Sequence, residues 1–112
     1  MIKNKTKNLV LAKKTKHCKM ILEKAIGLMF SKKIKDKGLV FHFKKEQQVS
    51  LHMFFVFFPI DVLYLNKNKE VIYKKENFKP WTTLNPKVKP KYIIELPTGT
   101  IKKTKIKDKI IF

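Results

Sequence analysis

A chain of 112 residues with 44% hydrophobic content and nine phenylalanines holds enough apolar mass for one compact core. Folding at this length removes roughly 60–70% of the unfolded surface, so no metal or disulfide staple is needed. The single cysteine, Cys18, excludes an intramolecular disulfide and any Cys-pair zinc site, and it fits a reducing compartment. The formal net charge is +19, and all 27 basic residues are lysine. Lysine is a point charge, whereas arginine supplies the planar fork that reads phosphate and guanine. The charge therefore reads as a solvated lysine-rich surface, and any binding to nucleic acid is expected to be weak, indifferent to sequence and lost with salt.

In chain order, residues 1–7 read as a flexible basic N-terminus. Asn8 to Ala12 reads as a short strand, and Lys13 to His17 as a basic connection. Cys18 to Leu28 is predicted to be a helix, because Ile21, Leu22, Ala25 and Leu28 make one apolar stripe while Lys19, Glu23 and Lys24 face water. Gly27 falls near its end. A lysine-rich loop from Ser31 to Lys37 leads to Gly38, after which Leu39, Phe41 and Phe43 alternate with Val40 and His42 as in a strand.

Val49 to Phe57 is apolar on both faces, which in a strand means burial on both sides or one face lining a cavity. Pro59 cannot donate to a ladder and marks a strand end or bulge. Ile60 to Leu65 and Glu70 to Lys74 form a predicted hairpin across Asn66-Lys67-Asn68-Lys69. Asn77 to Pro90 carries Pro80, Pro86 and Pro90 and reads as an extended loop anchored by Trp81. Tyr92 to Leu96 is a strand, Thr98-Gly99-Thr100 a short helical turn, and Lys109 to Phe112 a last strand. Phe41, Phe54, Val56, Ile60 and Leu63 are expected to share the core. No apolar run approaches the roughly 20 residues of a membrane-spanning helix, and no secretion signal is visible, so a soluble cytoplasmic protein is expected.

Four residues carry the candidate chemistry. His52 and Asp61 bracket the apolar run and would lie about 30 Å apart in a straight strand, so they meet only if the chain bends near Pro59. Together they could form an oriented imidazole; separately, Asp61 would accept backbone N–H bonds in a turn and His52 would be a satisfied core donor. Glu95, between Ile94 and Leu96, needs a partner if it faces inward, or it is protonated. Trp81 either stacks a ligand or pins its own loop. His17 and Cys18 are adjacent and point in divergent directions, so a metal site would need two further ligands from afar; His42 and His52 could supply them only if their strands were neighbours with matching faces, so no metal and no cofactor is assigned.

In order, Glu23, Gly27-Leu28-Met29, Gly38-Leu39-Val40-Phe41, His52-Met53, Pro59-Ile60-Asp61-Val62, Lys79-Pro80-Trp81 and Glu95-Leu96-Pro97-Thr98-Gly99 resemble the domain-of-unknown-function 192 family, particularly its archaeal branch. The resemblance runs from about Leu9 to Phe112. It implies a small, strongly curved β-sandwich or barrel with one or two short helices, and no established activity. Two departures stand out: Lys24 and Ala25 where that family often has arginine, and Lys107-Asp108 in place of Gly-Asp before the last strand, which points to a different final turn.

The expected molecule is a mainly β (α+β) single domain over residues 1–112. Its leading reading is a non-enzymatic domain that binds a small ligand through His52, Asp61, Trp81 and Glu95 gathered at one concave site, with no catalytic residue assigned. The alternatives are a basic protein associated with nucleic acid and a small hydrolase or isomerase using His52 and Asp61. Against the last, the chain has no nucleophile serine motif, no phosphate loop and no HExxH.

Overall fold

Strand periodicity dominates the computed structural model, which describes residues 1–19, 36–52 and 58–112, without the side chains of Cys18, Lys19, Leu51 and His52. Among the described residues ten strands occur: β1 (Ile2–Asn4), β2 (Leu9–Ala12), β3 (Lys14–Lys19), β4 (Lys37–His42), β5 (Leu51–His52), β6 (Ile60–Leu65), β7 (Val71–Phe78), β8 (Thr83–Leu84), β9 (Tyr92–Pro97) and β10 (Ile110–Ile111). The main sheet has the order β3-β4-β9-β6-β7, a three-stranded sheet has the order β10-β1-β2, and β5 pairs with β8. All pairs are antiparallel except β3 and β4, which run parallel.

Alternation of side chains along the central strands makes two cores. Leu39, Phe41, Val62, Tyr64 and Ile93 point to one face, where Phe43, Ile60, Phe78 and Leu84 join them. Val40, Leu63, Leu65, Ile94 and Leu96 point to the other, where Ile2, Leu11, Ala12 and Ile110 of the small sheet cover them together with Val71 and Ile101. β6 is buried along its whole length, as a strand packed on both faces must be.

Several expectations change. Residues 1–7 are not simply a tail: β1 holds the centre of the small sheet, with Ile2 and Asn4 fully buried. Lys13 to His17 is mostly strand rather than connection, and β3 continues through Cys18 and Lys19, where the helix was expected to begin. The rest of that helix, with Ile21, Leu22 and Ala25, lies outside the described residues, as do Phe54 and Val56. Among the described residues there is no helix and no closed barrel, because β3 and β7 remain the edges of an open sheet. No described helix is long and apolar enough to cross a membrane. Phe41 and Ile60 share a core, but Leu63 belongs to the opposite face.

The β6–β7 hairpin is present, and its turn works differently from expectation. Asn66 Oδ1 accepts from the N–H groups of Asn68 and Glu70 at 2.9 and 3.0 Å, while Lys69 takes the positive φ of 63°. The last turn keeps a glycine-like geometry without glycine, since Lys107 has φ 76°. Asn4 and Asp108 fasten that turn to β1: Asn4 Nδ2 donates to Thr104 Oγ1 at 3.1 Å and to Asp108 Oδ2 at 2.9 Å, and Lys7 Nζ lies 2.6 Å from the same oxygen. Burial pushes the Asp108 carboxyl up, but hydrogen bonds from Lys7, Asn4 and the Lys105 N–H outweigh it and hold the group below its ordinary range.

Candidate functional site

β7 ends in Asn77, which has φ 53°, and buried Phe78; the chain then turns through Lys79 to Thr82 into β8. The Thr82 hydroxyl donates to the Lys79 carbonyl and tightens that turn. Trp81 within it has φ 64°. A bulky side chain in the left-handed region costs on the order of 1–2 kcal/mol, and such strain gathers at functional positions. Between β7 and β8 lies a cavity of about 220 Å³ lined by Lys75, Asn77, Phe78, Lys79, Thr82, Thr83 and Leu84. Phe78 and Leu84 belong to the core and form its apolar part. Lys75 and Lys79 are exposed, and neither is in an ion pair among the described residues.

The four residues singled out from the sequence are distributed around this feature rather than gathered in it. Trp81 is exposed and sits in the chain between the lining residues Lys79 and Thr82. His52 pairs in β5 with Thr83, another lining residue, and its side chain lies outside the described set. Asp61 is fully buried. Its Oδ1 accepts the Asn77 N–H at 2.9 Å and the Thr98 hydroxyl at 3.5 Å, and its Oδ2 accepts the Ile101 N–H at 3.1 Å. It thus ties the end of β7 to the turn after β9, the role of a local backbone acceptor.

Glu95 lies on the opposite face from Asp61. Asp61 pairs with Leu96, whereas Glu95 pairs with Leu39 and Val62, and the period-two alternation sends the two carboxyls apart. A single concavity holding both is therefore corrected. Across the sheet the row Leu39, Glu95, Val62 ends at Lys75, which lines the cavity. Glu95 is 5% exposed, and nothing among the described residues donates to its carboxyl. Burial pushes its pKa up to about 8. Burial, with Tyr73 and Glu95 nearby, likewise raises the Tyr64 phenol.

Lys75, Asn77, Thr82 and Thr83 were missed by sequence reasoning. Their only signal was position: two threonines directly after Trp81 and an asparagine at the end of a strand.

The chain matches the DUF192 family model, described as Uncharacterized ACR, over residues 2–110. It is 37% identical over 103 residues to a UPF0127 protein of Thermococcus sibiricus, covering 90% of this chain and 66% of that protein, so the match spans just under two thirds of that relative's length. A UPF0127 protein of Pyrococcus horikoshii is 37% identical over 101 residues, covering 88% of this chain and 85% of that protein. Two crystal structures share the fold. One, from Sinorhizobium meliloti 1021 and provisionally described as a transcription regulator, has a TM-score of 0.79 at 22% identity over 87% of this chain and 79% of that one. The other, a protein of unknown function from Novosphingobium aromaticivorans, has a TM-score of 0.79 at 20% identity over 88% of this chain and 74% of that one. With nearly the whole chain matched, this protein belongs to the DUF192 family, whose archaeal UPF0127 members are among its relatives.

Proposed function

We propose that the chain is a non-enzymatic binding domain, set in the cytoplasm, whose site is the cavity between β7 and β8 and whose ligand is a small organic anion with an apolar portion. The carrying observation is the make-up of the lining. Two lysines without carboxylate partners among the described residues, two threonines and an asparagine stand around Phe78 and Leu84. Binding sites of this kind combine apolar contact area with a few polar groups that orient the ligand. Trp81, held in a costly backbone conformation, lies in the chain between the lining residues Lys79 and Thr82, and β5 brings His52 opposite Thr83. In this reading Asp61 acts by positioning Asn77, and Glu95 marks the buried row beneath Lys75.

The test uses Trp81, the only tryptophan, as a built-in reporter. Titration with a panel of small carboxylates and phosphates is expected to give a saturable change in its fluorescence, weakened about tenfold or more in Lys79→Ala if that ammonium contacts the anion. Absence of saturable binding across the panel, or an affinity unchanged from the parent in both Lys75→Ala and Lys79→Ala, overturns the reading. The net charge of +19 favours a second one, diffuse association with polynucleotide phosphates. Such binding would fall steeply between low and physiological salt and would be indifferent to sequence.

A further inference from the structure

The main sheet carries a second cluster, at the β3–β4 edge and away from the cavity. In the parallel pairing His17 stands opposite Val40, and His42 lies two residues beyond Val40, so both histidines project from the same face of neighbouring strands. That is the condition under which they can act together. Their rings approach with His17 Nδ1 2.8 Å from His42 Nε2, centroids 5.0 Å apart. Tyr92 and Phe112 pack against them: His42 meets the Tyr92 ring at 5.4 Å and the Phe112 ring at 5.8 Å, and His17 meets Phe112 at 5.9 Å. The pair is thus braced by aromatic contacts on one side, while His17 stays exposed on the other.

We propose that His17 and His42 form a two-imidazole site for a borderline transition-metal ion of the Cu²⁺, Ni²⁺ or Zn²⁺ class, its remaining positions filled by water or a small anion. Metal–imidazole bonds of about 2.0–2.1 Å at adjacent coordination positions place the two nitrogens about 3 Å apart. The observed separation needs only a small opening, which rotation of the exposed His17 ring provides. Proton bookkeeping closes as well. In the neutral pair one of the two facing nitrogens carries a hydrogen and the other accepts it, so on binding that hydrogen moves to the outer nitrogen of its own ring. Both facing lone pairs then bond the metal, with no net proton released.

The donor types fix the kind of ion, and the charged surroundings bear on its co-ligand. Lys69 and Lys91 are the cations acting on His42; Lys69 Nζ lies 4.2 Å from the Phe112 centroid, and Lys91 Nζ, 5.7 Å from the Tyr92 centroid, also donates to the Phe43 carbonyl. No His, Cys, Asp or Glu completes a group of three among the described residues. A hard cation such as Mg²⁺ or Ca²⁺ finds no oxygen cage here, and an imidazole-seeking ion does not require one. The lysines oppose a bare dication but favour one that brings an anionic co-ligand.

Titration of the whole chain with Cu²⁺ at pH 7.5, followed by electron paramagnetic resonance, tests the site. The first equivalent is expected to show coupling to two imidazole nitrogens, with affinity falling about tenfold or more in His17→Gln and in His42→Gln through loss of the chelate. His52→Gln should leave it unchanged. A single-nitrogen signature, or a first equivalent held equally well by His17→Gln, overturns the proposal. Should His42→Gln fail to fold, His17→Gln decides, since that side chain is exposed. The cavity at β7 and β8 has no part in this result, so either proposal can fail alone.

Discussion

Lys107 is a residue at odds with its backbone. At φ 76° its Cβ crowds the following carbonyl, and the conformation costs on the order of 1–2 kcal/mol that glycine does not incur. The turn accepts the cost because it must: the Lys107 N–H donates to the Val71 carbonyl at 2.8 Å, and the Val71 N–H donates to the Asp108 carbonyl at 2.9 Å. Lys107→Gly is therefore expected to stabilise the fold by about 1 kcal/mol in denaturant unfolding, whereas Lys107→Val, β-branched, should lose a similar amount. Glu95 gives the fold a dependence on pH. Its folded pKa of about 8 lies above the ordinary 4.5, so between those values the folded chain holds a proton that the unfolded chain has released. Stability is then greatest below about pH 4.5 as far as this group is concerned and declines as pH rises to about 8, by up to about 1.4 kcal/mol per pH unit. Glu95→Gln should flatten that decline; a melting temperature with the same slope from pH 5 to 8 in both proteins would count against the buried, neutral carboxyl.

At the scale of elements, the close approach of β4 to the small sheet depends on Gly38. A Cβ at that position would lie 2.2 Å from Ile2 Cδ1 and 2.9 Å from Leu96 Cδ2, both in the packed core. Gly38→Ala is expected to cost about 1–3 kcal/mol by overpacking. Ile2→Val deletes the nearer methyl, so the double variant should be less destabilised than the sum of the two singles, read by a double-mutant cycle. Strict additivity would mean that Ile2 is not the residue in the way. Part of this strand arrangement is legible in the sequence. β4, β6, β7 and β9 announced themselves by alternation and turn residues, which are local signals. β1, β3 and β8 did not, because lysines and prolines hide a strand whose pairing is decided by distant partners. Alternation alone puts Asp61 and Leu63 on one side of β6 and Ile60 and Val62 on the other, against the expectation that Ile60 and Leu63 share a core, but nothing in Ile60 to Leu65 says what each side meets until the neighbours are known.

For the whole molecule, family membership was legible from ordered short motifs, and the cavity was not. Trp81 was visible as an anchor, but the lining residues Lys75, Thr82 and Thr83 belong to types common throughout this chain. They acquire meaning only when β8 folds back beside β7. His17 and His42 meet for the same reason, through a parallel pairing that no local pattern encodes. One architectural detail also governs how the protein is made. β1 lies between β2 and β10, Ile2 packs in the same core as Ile101 and Ile110, and Asn4 reaches Thr104 and Asp108. During synthesis the first strand leaves the ribosome long before its second neighbour exists. β1 can pair with β2 at once, yet its other edge and the buried amide of Asn4 wait for the far end of the chain. Completion of this core is consequently a late event, deferred until residues 101–111 emerge, and the loop closed at that moment is nearly as long as the chain itself.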